Sequence, residues 1–359
     1  MLESKSVSED ARKTYCAAAD LSLIIPVFNT EEQFIKDCFL SVLDCEKLGL
    51  SLEVVVVDDG SAPDYARTLN RLIKDIIPSA FLVSKVNGGQ NSARSLGLKH
   101  ASGRYILFLD SDDRVDSFEL SKTLSAALKF LPDILCFNFA RVYEDGTLAE
   151  CSLSWKGDYA PIDPKIAIFE SDSLFRQLYK RTFLQRSGIS LVEGPRIGED
   201  MASAVPLLLA ANDIAAIGCC PYLYVQRSSS ALHSVPESRI PDIIDASTQM
   251  LERISEESLS KYKCEIEGLC IEHVVYWGSV RAVAVCGATA CYRILMVDWM
   301  NAHFPGWSNS TGADRARKRY GLGYMLLSSG HWRVYLTFDQ VKRALLRAIR
   351  AMHSSGARG

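Results

Sequence analysis

Tyr105-Ile-Leu-Phe-Leu-Asp110-Ser-Asp112-Asp113 runs five apolar or aromatic residues into three carboxylates within four positions. Such a run suits a strand covered on both faces, which puts the carboxylates at its carboxyl end. Open α/β sheets keep their ligands at that edge. Asp110 and Asp112 there offer hard oxygen ligands to Mg²⁺ or Mn²⁺, ions that keep some waters and bridge to substrate phosphates. Asp-Ser-Asp is equally ordinary turn chemistry, and Asp113 reads as an N-cap for the helix that follows. The neighbouring strands decide between these readings.

Upstream, residues 21–28 read as a first strand, with Pro26 near its end because proline cannot donate to a central ladder. Thr30-Glu-Glu-Gln33 has capping-box spacing, and Phe34, Ile35, Cys38, Phe39, Val42 and Leu43 follow at helical intervals. Residues 52–57 form a β-branched run ending in Asp58-Asp59-Gly60-Ser61, followed by a helical stretch near 64–77. A third strand over 80–86 leads into Asn87-Gly-Gly-Gln-Asn-Ser-Ala-Arg94-Ser-Leu-Gly97, a glycine-rich turn opening a helix. Strands alternating with helices predict βαβ crossovers and a mainly parallel sheet. All four strands end in polar residues that would face one edge, the place of a nucleotide-binding crevice. Neither Gly-x-Gly-x-x-Gly nor Gly-x-x-x-x-Gly-Lys occurs at these turns. An acidic rim without a phosphate loop calls for a metal to screen the phosphates.

Taken together, Pro26-Val-Phe-Asn29, Val57-Asp-Asp-Gly-Ser61, the run Asn87 to Gly97 and Gly103-Arg-Tyr-Ile-Leu-Phe-Leu-Asp-Ser-Asp-Asp113 resemble the nucleotide-sugar-binding half of family 2 glycosyltransferases with the GT-A fold. The resemblance covers residues 21 to about 230. It implies an α/β fold with a Rossmann-like, mainly parallel sheet flanked by helices, followed by a helical C-terminal extension. It also implies an inverting transfer from a nucleotide-diphosphate sugar, UDP-linked, in surface-polysaccharide biosynthesis. In that resemblance Asp112 is the metal contact and Asp110 a ribose or metal contact. Pro26 and Ser111 line the nucleotide-sugar pocket, and Asp59 accepts from the nucleobase imide. Asp200, in Glu199-Asp200, takes the place of the catalytic base. Phe28 offers a face for stacking on the base, Arg94 a guanidinium for base or phosphate, and Arg227 a fork for the diphosphate. Asp58 orients its loop. As a structural alternative, Glu199 and Asp200 would only favour a helix N-terminus.

Beyond residue 113 a helix over 117–130 and a strand over 134–139 complete the α/β unit, and 141–172 reads as irregular, with four glycines or prolines. An apolar helix near 201–211 contains Pro206, which would kink or delay it. From residue 240 the sequence is helical. The expected division is therefore a flexible 1–20, a GT-A domain over 21–235 (nucleotide-sugar half 21–115, acceptor half 116–235) and a helical region over 236–359.

At 359 residues, 48% hydrophobic and 23% charged, the composition is that of a globular chain, and the net charge of −3 is uneven. Residues 313–359 carry ten Lys or Arg against Asp314 and Asp339, a charge of +8, which leaves −11 on the remainder. A basic amphipathic helix over 337–352 fits either an anionic membrane surface or packing on the protein. The tail lacks the interleaved aromatics of a nucleic-acid module. No secretory signal opens the sequence, no run of about 18 apolar residues occurs, and most of the cysteines, among them Cys38, Cys136 and Cys286, lie in apolar segments as buried thiols do. The expectation is a cytoplasmic protein, peripheral on the membrane, acting on a glycan or lipid-linked acceptor. Two other readings stay open: a nucleotidyltransferase, which would want a basic glycine-rich loop after the first strand, and a noncatalytic binding module.

Overall fold

The computed structural model describes residues 19–144, 147–226, 236–287 and 290–342. These residues form two compact units: those up to 193 together with 211–226, and 194–210 together with those from 236 onward.

The first unit opens with β1 (Leu21–Val27), α1 (Glu32–Lys47), β2 (Leu52–Asp58), α2 (Pro63–Ile76), β3 (Phe81–Ser84), α3 (Gln90–His100) and β4 (Tyr105–Phe108). It continues with β5 (Arg114–Val115), α4 (Ser117–Phe130), β6 (Ile134–Tyr143), β7 (Leu148–Cys151), β8 (Ala160–Pro161), α5 (Pro164–Glu170), β9 (Gln177–Lys180), α6 (Arg181–Ser187) and β10 (Ile214–Gln226). The sheet order is β3-β2-β1-β4-β9-β6-β10-β5, with β7 on β6 and β8 on β10. From β3 to β4 every pairing is parallel, and β9 then runs antiparallel between β4 and β6. β6 and β10 are parallel, with a register shift between Ile217 and Tyr222 that contains Cys219 and Cys220.

All seven residues of β1 and all four of β4 are buried, as expected of strands covered on both faces. On one face, Leu21, Leu23 and Ile25 share a core with Ile35, Cys38, Phe39 and Val42 of α1 and Leu120 and Leu124 of α4. On the other, α3 lies close on the strands because Gly97 has no side chain: a Cβ there would stand 2.4 Å from Ile24 Cγ2. The chain steps outward from β1 to β3 and then returns to place β4 on the opposite side of β1. That reversal opens a crevice at the carboxyl ends of β1 and β4.

The second unit is helical: α7 (Glu199–Ala210), α8 (Asp242–Arg253), α9 (Glu256–Lys261), α10 (Lys263–Cys270), a π-helical turn over Ile271–Trp277, α11 (Gly278–Cys286), α12 (Ala290–His303) and α13 (Thr311–Ser328). A last helix covers 332–342. α8 packs on the start of α7, where the Arg196 amide donates to Asp242 at 2.8 Å and Gly198 abuts Ile243. The run Lys263–Cys286 is long and apolar enough to cross a membrane by length and composition, yet more than half of its most apolar stretch is buried within the chain. Its buried Glu272 accepts from Arg319 at 3.0 Å and Tyr320 at 2.9 Å and pairs with Arg315 at 3.3 Å, all on α13.

Several local expectations change. Residues 141–172 contain β7, β8 and α5, since a short strand with a single exposed face leaves little periodicity to read. α7 starts at Glu199 and runs on through Pro206. It belongs to the second unit, away from the 21–235 span that its position in the sequence suggested. Thr30 does not cap α1: the N-cap is Glu31, without a side-chain hydrogen bond. The final helix begins five residues before Thr337, with Trp332 and Tyr335 buried, and its expected portion beyond 342 lies outside the described residues.

Candidate active site

The carboxyl ends of β1, β2 and β4 carry a set of side chains tied to one another by hydrogen bonds. After β1, Phe28 is 49% exposed and Asn29 takes a left-handed backbone (φ 48°). Asn29 then clasps the loop after β2, its amide donating to Ser61 Oγ at 3.0 Å and its Oδ1 accepting the Ala62 amide at 2.9 Å. Asn is among the few residues that tolerate this backbone region. Thr30 Oγ1 lies 2.6 Å from Ser111 Oγ, linking the start of α1 to the acidic turn across the switch point. Pro26 is buried in β1 opposite Val57, beyond Ile24, where the ladder to β4 ends.

Asp58 accepts the Ser61 amide at 3.0 Å, the loop-orienting role expected of it. Asp59 is 3% exposed. Its Oδ1 accepts from Lys85 Nζ at 2.8 Å and the Gly88 amide at 2.9 Å, and its Oδ2 from the Gly89 amide at 2.8 Å. Gly89 stands just before α3 with φ 92°, which a side chain would strain. A carboxylate has about four acceptor sites, so one remains on Asp59 for a further donor.

Arg94 does not reach into the crevice. It has no exposed surface, and it donates to Asp110 Oδ1 at 2.6 Å and Asn91 Oδ1 at 2.8 Å. One turn into α3, its buried side chain thereby holds the Asp110 carboxylate. Gln90 does the same from the helix start, at 2.6 Å.

Asp113 is not the cap of α4; Asp116 is, accepting the Glu119 amide at 2.9 Å. Asp113 turns inward, 2% exposed, and accepts from the Tyr222 hydroxyl at 2.7 Å and the Val225 amide at 2.8 Å, fastening β10 to the acidic turn. Burial, then the charges of Asp112 and Asp110, push the Asp113 carboxyl well above the usual carboxylate range, against the pull of those two donors. Burial and the charges of Asp110 and Asp113 raise the Tyr222 phenol, and burial with the charges of all three aspartates raises the Cys38 thiol. Three carboxyls thus crowd this turn. Asp112, at its tip, is partly exposed.

Among the described residues no three His, Cys, Asp or Glu side chains gather into a closed metal cage. The donor set fits a hard divalent ion held by one or two carboxylates and completed by phosphate and water, and does not fit zinc.

Asp200 occupies the first turn of α7 beside Glu199, in the second unit. Ser203 Oγ closes back on the Glu199 carbonyl at 2.8 Å. Arg227, and with it the basic loop after β10, lies outside the described residues. Sequence reasoning missed Lys85, Gln90 and Tyr222 as supporting groups. Gln90 carried a signal, its place in the Asn-Gly-Gly-Gln run, whereas Lys85 and Tyr222 act through partners 26 and 109 residues distant.

Comparison with known proteins agrees with this geometry. Residues 22–180 match the model of glycosyl transferase family 2. Over 247 residues the chain is 23% identical to glycosyltransferase GlyA of Streptococcus pneumoniae, covering 66% of this chain and 34% of GlyA. Over 252 residues it is 28% identical to the succinoglycan biosynthesis protein ExoO of Rhizobium meliloti, covering 67% of this chain and 71% of ExoO. The chain spans 34% to 42% of the length of three such curated relatives, GlyA among them. In structure it is similar to Staphylococcus aureus TarS 1-349 in complex with UDP-GlcNAc, with a TM-score of 0.62 at 18% identity, over 89% of this chain and 92% of that one. Residues 22–180, which hold the parallel β1–β4 half and the acidic turn that follows, thus match glycosyl transferase family 2, and the chain shares the GT-A fold.

Proposed function

We propose that the protein is a metal-dependent, inverting glycosyltransferase that moves a sugar from a UDP-sugar to a glycan or lipid-linked acceptor in surface-polysaccharide biosynthesis. The observation that carries the reading is the exposed Phe28 ring and the partly exposed Asp112 at one sheet edge, braced by the Thr30–Ser111 and Asn29–Ser61 bonds. Phe28 offers a stacking face, and Asp59 offers the base its remaining acceptor site. Asp112, with Asp110, would hold a divalent ion, which supplies charge neutralisation at the departing diphosphate. Arg94 and Gln90 keep the Asp110 carboxylate aimed so that it spends no reorganisation on binding. Asp200 takes the acceptor proton as the hydroxyl attacks the anomeric carbon, and the single displacement inverts the configuration.

That TarS has been captured with UDP-GlcNAc, and that ExoO is a succinoglycan biosynthesis protein, support the donor and polymer assignments. A cytoplasmic site, peripheral on the membrane, goes with such an acceptor. Calorimetry with UDP should give binding that depends on Mn²⁺ or Mg²⁺ and is lost in Asp112→Ala. Asp200→Asn should bind UDP-sugar as the parent does and transfer none. Metal-independent UDP binding overturns the metal assignment, and full transfer by Asp200→Asn overturns the base.

A further inference from the structure

The helical unit contains an open cleft of about 410 Å³ that none of the proposed chemistry uses, lined by Arg293, Val297, Asn301, Trp307, Arg317 and Tyr324 with neighbouring serines. Its charged lining residues are both arginines, and no carboxylate lines it among the described residues. Arg293 forms no ion pair among the described residues. Its Nη2 makes one long bond to the Ser328 carbonyl at 3.3 Å, and its Nε is buried without an acceptor. A buried guanidinium N–H with no acceptor leaves the donor capacity of this side chain unmet. Among the described residues Arg317 pairs only with Asp314, at 2.5 Å, and both side chains are about half exposed, so its charge is largely available. Asn301 accepts the Trp307 indole N–H at 3.0 Å on its Oδ1, which leaves its amide NH₂ to donate.

This cleft is rich in donors, cationic and larger than a bare oxyanion requires. Planar guanidinium forks match phosphoryl oxygens, and the aromatic and serine lining suits a polyhydroxylated body. We propose that it binds an organic phosphate of sugar-phosphate size, with the phosphoryl group on Arg293 and Arg317, as a site separate from the carboxyl edge of the sheet.

Titration of the full chain with glucose 1-phosphate, followed by ³¹P resonance and calorimetry, tests this. The expected result is binding at millimolar concentration or below, weakened about tenfold by Arg293→Gln and by Arg317→Gln, unchanged in Asp112→Ala, and absent with glucose. Arg317 is exposed, so its variant keeps the test valid if Arg293→Gln fails to fold. Four results overturn the proposal: no binding, affinity indifferent to both arginine variants, affinity lost in Asp112→Ala, or inorganic phosphate binding as tightly as glucose 1-phosphate.

Discussion

Arg94 shows how one side chain can govern a site without touching a ligand. Its guanidinium has no exposed surface and bonds the 18%-exposed Asp110 at 2.6 Å, so it balances one of three clustered carboxylates. Removing one partner of a buried pair leaves the other uncompensated. Arg94→Met should therefore cost about 3 kcal/mol of stability by denaturant unfolding. Asp110→Asn should cost less on that background than in the parent, because the two share one interaction. Glu119 gives a pH-dependent case. Burial raises its carboxyl, but the Lys122 ammonium and the Cys220 amide at 3.0 Å outweigh that, and the net shift is downward. A depressed acid stabilises the fold above its unfolded value, and that contribution is lost as pH falls through the folded value. The stability gap between parent and Glu119→Gln should be about 1 kcal/mol at neutral pH and close as the pH is lowered through the carboxylate range. A gap that widens on acidification would contradict this.

Among elements, α3 is the one whose seat decides the site, since it delivers the Gly88–Gly89 amides, Gln90 and Arg94 to the same edge. It can lie so close only because Gly97 faces Ile24 and Val57, at 2.4 and 3.3 Å from a notional Cβ. Alanine would regain about 1 kcal/mol of helix propensity, but overpacking costs about 1–3 kcal/mol, and a 2.4 Å approach belongs at the upper end. Gly97→Ala should lose about 2 kcal/mol net and weaken UDP binding by tilting α3. Unchanged unfolding would mean that the sheet yields more easily than its burial implies. β1, β2, β4 and α4 were legible in the sequence because apolar runs and helical spacing are local. The roles of Thr30, Arg94 and Asp113 were not. Thr30 finds Ser111 at 81 residues' separation and Asp113 finds Tyr222 at 109, and no local pattern encodes such partners.

At the scale of the molecule, the helical unit takes α7 from the middle of the sequence. Residues Met201 through Leu209 of α7 are all buried, and α8 packs against the helix start. A fragment ending at Gln226 strips α8 away and leaves apolar surface uncovered. It should aggregate or bind a hydrophobic dye where the full chain does neither, and a monomeric, dye-silent fragment would show that α7 needs no partner from the helical unit. The order of strands and helices up to residue 139, the acidic turn and the family resemblance could be read directly, because alternating apolar runs and short polar motifs are properties of contiguous residues. Which aspartate points outward and which inward, where Arg94 spends its charge, and which unit owns Asp200 were decided only by the tertiary structure. Burial and hydrogen-bond partners are set by residues that the chain brings together from far apart, and it is burial and partners that give a carboxylate its task.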